Sequence, residues 1–144
     1  MATRSTIALE FADGTVQQVY AHWDGYLEQN GEILYESYSD PFKVRALIDL
    51  DDVSVLGNEI GEKHQFADAA GYKGCTFYGR DRGETGVEAR KFKDFEDYKA
   101  NHQYEEYEYI LRKDGQWYVS QYGRSYEPLA DALNSQVKEA SNAN

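Results

Sequence analysis

The stretch "YEEYEYILRKDGQWYVSQYG", Tyr104–Gly123, decides the fold. Apolar and polar residues alternate on both sides of Asp114-Gly115, the pattern of two antiparallel strands joined by a tight turn. A two-residue turn on Asp-Gly pairs Lys113 with Gln116. Tyr107, Tyr109 and Leu111 then face Tyr122, Ser120 and Tyr118. Glu108, Ile110 and Arg112 share the opposite face with Gln121, Val119 and Trp117. Neither face is polar throughout, so this hairpin is covered on both sides or presents tyrosines to a partner.

A second hairpin opens the chain. "STIALEF" (5–11) alternates, Asp13-Gly14 follows, and "TVQQVYAH" (15–22) returns. The same two-residue turn sets Phe11 against Val16, Leu9 against Gln18 and Ile7 against Tyr20. Helical spacing then takes over, with Leu27, Gly31, Leu34 and Tyr38 on one stripe. "QNGE" (29–32) reads equally as a turn before a helix from Glu32. "SDPFKVRALIDL" (39–50) predicts a helix capped by Asp40, with Pro41 in its first position and Val44, Leu47 and Ile48 buried. Residues 57–74 carry four glycines and no period, which predicts a long loop, mobile or functional. "CTFYG" (75–79) and "VEARKF" (87–92) are short strand candidates. "KDFEDYKANH" (93–102) reads as a helix showing Phe95 and Tyr98, and "EPLADALNSQVKEA" (127–140) as an amphipathic helix with Leu129, Leu133 and Val137 on one face. The expected class is α+β: an antiparallel sheet of about 4–6 strands packed with 3–4 helices. It forms a single domain over 1–140, with a frayed tail at 141–144.

The 144 residues include 26 acids against 15 Lys and Arg, a formal charge of −11. That excess excludes direct nucleic-acid binding through a basic surface, and points towards a basic protein as partner. Cys75 is the only cysteine, so neither a disulfide framework nor a thiolate metal site is expected, and no cofactor is implied. No segment reads as a signal peptide or a membrane span, and a reducing cytoplasm is the expected location.

Candidate sites are few. His22 and Asp24 in "HWDGY" would serve an enzyme as base and orienting acid, yet Asp24 also suits a helix cap. His22, His64 and His102 lack metal-ligand spacing. Arg80 and Arg82 in "YGRDRGETG" (78–86) would fork a phosphate, and with the tyrosines would support binding of a nucleotide signal. Asp49, Asp51 and Asp52 place three acids at a helix C-terminus, against its dipole, which suggests a partner surface. Glu105, Glu106 and Glu108 alternate with Tyr107 and Tyr109 along one strand and extend that acidic, tyrosine-bearing surface. A wide apolar sheet face would serve equally as a homodimer interface.

"VYAHWDGY", "ILYESY", "KVRALI" and "DDVSVLG", with "CTFYGRDRGE" and "EEYEYILRKDGQWYV" further on, resemble a group of small uncharacterised proteins of bacteriophages, prophages and plasmids. Members of that group often have proline where this chain has Leu27. The resemblance touches about half of the chain and brings no catalytic residues. It implies a mobile-element protein acting in a bacterial host. The expected function is counter-defence, anti-CRISPR-like, by stoichiometric binding and in the manner of a DNA mimic.

Overall fold

The computed structural model describes residues 3–68 and 72–142. Eight strands form one sheet: β1 (Ser5–Glu10), β2 (Val16–Trp23), β3 (Val53–Val55), β4 (Thr76–Phe77), β5 (Arg90–Phe92), β6 (Tyr107–Leu111), β7 (Trp117–Gln121) and β8 (Glu127–Pro128). Five helices accompany them: α1 (Glu32–Ser37), α2 (Pro41–Ile48), α3 (Tyr78–Arg82), α4 (Phe95–Asn101) and α5 (Leu129–Asn142). The strand order is β4-β3-β2-β1-β6-β7-β8, and β5 also lies along β2. The class is α+β, as expected, but the sheet is larger than expected and mixed rather than antiparallel. β1 runs parallel to β6, and β2 parallel to β3. The connection from β1 to β6 runs through β2–β5 on the far side of β1, and the two hairpins meet side by side, pointing the same way.

Both hairpins form where expected, but each is shifted by one residue. Ile7 pairs with Val19 and Leu9 with Gln17, while Tyr109 pairs with Val119 and Leu111 with Trp117. The turns explain the shift. Phe11 N–H donates to Thr15 O (2.8 Å) and Gly14 N–H to Phe11 O (2.9 Å), so Ala12-Asp13-Gly14 is a three-residue loop. Arg112 N–H to Gln116 O (3.1 Å) and Gly115 N–H to Arg112 O (2.9 Å) repeat it. Gly14 and Gly115 take φ of +91° and +83°, the left-handed position that closes such loops. The loop aspartates secure them: Asp13 accepts from Thr15 N–H, and Asp114 from Gln116 N–H, both at 2.9 Å.

A one-residue shift moves every partner to the other face. Ile7, Leu9, Val19, Ala21, Tyr109, Leu111, Trp117 and Val119 now share one face. Leu34, Tyr38, Val44, Leu47, Ile48 and Leu129 from the helices cover it and form the main core. The opposite face carries a smaller cluster, Ala8, Val16 and Ile110, under Tyr98 of α4 with Phe92, Phe95, Tyr118 and Tyr126. The tyrosine-bearing hairpin is therefore covered on both faces.

α2 is as expected, with the Asp40 carboxylate accepting from Phe42 N–H (2.9 Å) and Pro41 opening the helix. The stripe from Leu27 is split: a π-helical turn, Leu27–Gly31, passes directly into α1. The strand candidates at 75–79 and 87–92 become β4 and β5, the former followed at once by α3. In α5, Leu129 is buried and Leu133 half-buried. The helix runs through Asn142, overlapping the tail expected to fray, and residues 143–144 lie outside the described residues.

Candidate functional site

Of the acids and tyrosines expected to face a partner, Glu108 and Tyr109 are buried, while Glu105, Glu106 and Tyr107 are half-buried. The Tyr109 hydroxyl donates to Gly25 O (2.6 Å), tying β6 to the turn after β2. Tyr107 stacks on Tyr109 and meets the edge of the exposed Tyr122. Burial and the neighbouring Tyr122 hydroxyl push the Tyr107 phenol up to about 12. Glu108 forms a buried ion pair with His102, whose other ring nitrogen donates to Tyr98 O (2.6 Å). Burial alone would lower the His102 pKa. The Glu108 carboxylate and the Tyr98 carbonyl outweigh it and hold His102 above its ordinary value. Both ring nitrogens are engaged, one by Glu108 and the other by the Tyr98 carbonyl, so neither is free to take a proton from a substrate.

The acids at 49–52 divide the same way. Asp49 is exposed, with Arg45 at 4.0 Å. Asp51 has φ +71° and accepts from Ala89 N–H (3.1 Å). Asp52 is buried, accepting from Tyr20 N–H (2.8 Å) and from both terminal nitrogens of Arg90 (2.6 and 3.2 Å). Burial nevertheless raises its pKa, outweighing Arg90. Asp51 and Asp52 thus fasten the turn after α2 to β2 and β5. Their position past the helix end follows from those bonds.

Arg80 directs its guanidinium inward. It donates to the Asp81 carboxylate and to the carbonyls of Ile60, Gly61 and Cys75, at 2.8–3.1 Å. Burial raises the Asp81 pKa, but Arg80 and the backbone N–H groups of Phe77 and His64 more than reverse this and lower it. His64 sits between Asp81 and Thr76, with Nε2 3.0 Å from the Thr76 hydroxyl and Nδ1 3.0 Å from Glu62 O. Hydroxyl, imidazole and acid line up as in a nucleophile chain. However, Thr76 is only 1% exposed and the Tyr72 ring lies tilted against the imidazole, centroids 3.9 Å apart, so the chain fastens the loop instead. Residues 57–68 and 72–74 are held by this knot and by the Glu59–Gly74 bridge. Arg82 pairs with Glu84 and lies over the rings of Phe66 and Tyr78. The two arginines therefore do not converge on one open site.

In "HWDGY", His22 Nδ1 bonds the Tyr20 hydroxyl (2.6 Å) and its ring meets the edge of Trp23. No hydrogen bond joins His22 to Asp24 among the described residues. Asp24 is not the expected cap: Tyr26 occupies that position, and no side chain caps the turn. Gly25 carries the local constraint. A Cβ there would lie 2.6 Å from Ser5 Cβ, because Gly25 N–H donates to Thr3 O at 2.6 Å.

Sequence reasoning missed the partners of the buried acids. Arg90 lies on a strand of ordinary composition, Arg112 directly follows β6, and His102 ends a helix. Their one sequence signal is an acid at an inward strand position, as at Glu10 and Glu108, which demands a cation nearby. Among the described residues no group of three His, Cys, Asp or Glu side chains is placed to hold a metal ion. None of the described helices is long and apolar enough to cross a membrane. Asp49, Glu28, Glu32 and Glu36 are exposed, while Arg80, Arg90 and Arg112 are each paired with an acid of the framework. Compared with protein-family models, curated proteins and solved structures, the chain matches none.

Proposed function

We propose that this chain is a counter-defence protein of a mobile genetic element, anti-CRISPR-like, that works in the bacterial cytoplasm by stoichiometric binding to a basic host protein. The observation that carries the reading is the unequal use of charge. Arg80, Arg90 and Arg112 are each tied to an acid of the framework, with side chains 12%, 35% and 33% exposed. Outward-facing carboxylates remain in excess, consistent with the −11 total. Asp49, exposed, and Glu105 and Glu106, half-buried, belong to that exterior. Glu28, Glu32 and Glu36 add an exposed row at four-residue steps, each roughly 6 Å further along a helical axis. Tyr35, 49% exposed, stands within the row. Such a surface suits a groove that otherwise holds nucleic acid.

The test is DNA binding by purified CRISPR effectors with the chain added in increasing ratio. The expected result is loss of DNA binding at one-to-one stoichiometry with at least one effector, weakening as salt rises. Lysine at Glu105, Glu106 and Asp49, or at Glu28, Glu32 and Glu36, should abolish the effect. Full inhibition by both charge-reversed proteins, or no effect on any effector, would refute the reading.

A further inference from the structure

Phe42 is 80% exposed, the most exposed of the large apolar side chains described. The others above two-fifths exposure are Trp23, Tyr35, Tyr104 and Tyr122, each with a polar group to offer water. Phe42 has none, and it is held in place: Pro41 fixes the backbone before it, and the Asp40 carboxylate binds its N–H. It stands at the rim of a groove of about 210 Å³, with Leu9, Phe11 and Pro41 along the floor and wall. The groove exists because β1 and β6 are parallel, which sets the two Asp-Gly loops side by side against the first turn of α2.

Its charged lining opposes that of the whole chain. Arg45, Arg112 and Lys113 line it, against a single acid, Glu10. Glu10 is occupied by the Arg112 guanidinium (3.0 and 3.3 Å) and by Lys113 N–H (3.0 Å). The aspartates just outside are turned to their own backbone: Asp13 to Thr15, Asp40 to Phe42 and Asp114 to Gln116. The Arg45 guanidinium lies 5.7 Å over the Phe11 ring, has only the exposed Asp49 near it at 4.0 Å and is itself 61% exposed, and Lys113 is exposed. An apolar slot thus has two outward cations at its lip.

We infer that this groove docks a short segment of a partner protein that presents one large apolar side chain flanked by carboxylates. The apolar side chain enters between Phe11 and Phe42, and the carboxylates meet Arg45 and Lys113. Net repulsion between two chains of −11 disfavours a second copy as the occupant. The inference does not depend on the counter-defence reading, whose tested acids do not line the groove.

Three fluorescent peptides test it: a Trp-Leu pair flanked by glutamates, the same pair flanked by lysines, and the glutamate peptide with Gly-Ser in place of Trp-Leu. Only the first should bind, and Phe42→Ala should weaken it at least about tenfold, as burial of one aromatic side chain predicts. Arg45→Glu combined with Lys113→Glu should do the same. Phe42 is exposed, so its replacement leaves the melting temperature unchanged and a folding defect cannot mimic the loss. Equal binding of the lysine peptide, unaltered affinity of Phe42→Ala, or no binding by the glutamate peptide would overturn the proposal. A dimer in sedimentation that Phe42→Ala dissolves would overturn it in favour of a second copy.

Discussion

The two faces of the sheet are stabilised by different means. One carries Ile7, Leu9, Val19, Tyr109, Leu111 and Val119 under three helices, and apolar contact holds it. The other has a small apolar centre at Ala8, Val16 and Ile110, ringed by three ion pairs: Glu10–Arg112, Asp52–Arg90 and Glu108–His102. Arg112 also stacks on Phe95 at 3.6 Å. Apolar burial has no direction and tolerates repacking, whereas a buried ion pair demands its partner. The first face sets how stable the fold is. The second sets which arrangement α4 and β5 adopt, and makes it sensitive to protonation.

The largest expected effect contrasts the faces directly. Glu108→Ala leaves the buried His102 ring without its partner and should cost about 3–5 kcal/mol, while Leu47→Ala on the other face should cost about 2–5 kcal/mol. Urea unfolding distinguishes the two kinds of loss through a double variant. Glu108→Leu with His102→Leu should recover most of the first loss, and failure to recover would mean the pair contributes more than mutual neutralisation.

pH separates the faces further. His102 has a raised folded pKa, so its stabilisation is complete below about 6.5 and is lost as pH rises through the folded value. Glu10 has a lowered one, since Arg112 and Lys113 outweigh its burial. Its stabilisation is complete above the ordinary carboxylate range and is lost as pH falls through the folded value. Melting temperature against pH should fall on both sides. Glu108→Gln should flatten the upper decline, Arg112→Met should reduce the lower one, and Leu47→Ala should shift the whole curve down without changing its shape.

The smallest effect concerns what joins the faces. Gly14→Ala and Gly115→Ala force a side chain into the left-handed region and should each cost about 1 kcal/mol. Similar values in the two loops would support their shared geometry. A much larger loss at one would mean that its strands slip register.

Much of this fold is legible in the residues. Alternation around Asp13-Gly14 and Asp114-Gly115 announces both hairpins, and Asp40-Pro41 announces α2. Register is not legible, because Asp-Gly suits a two-residue loop and a three-residue loop equally. The choice is made by Ile7 and Tyr109 both needing the covered face. Nor are the parallel pairs, since "DDVSV" holds a strand of only three residues and its partner lies some thirty positions earlier. Which of the candidate acids lie outward was only partly legible. Local spacing identifies Glu105 and Glu106 as acids on a strand, but Glu108 and Asp52 face inward only because His102 and Arg90 arrive from elsewhere in the chain.

The parallel contact of β1 with β6 also governs how the molecule is made. β1 joins Ser5 to Tyr107 and Leu9 to Leu111, so the central strand has a bare edge until about a hundred residues have been synthesised. On the ribosome, the first hairpin must wait with its apolar residues uncovered and its backbone groups open to other chains. Such distant pairing makes for slow folding. Production at high rate or high temperature would expose that waiting edge, and aggregation of nascent chains would set the yield before any property of the finished protein did.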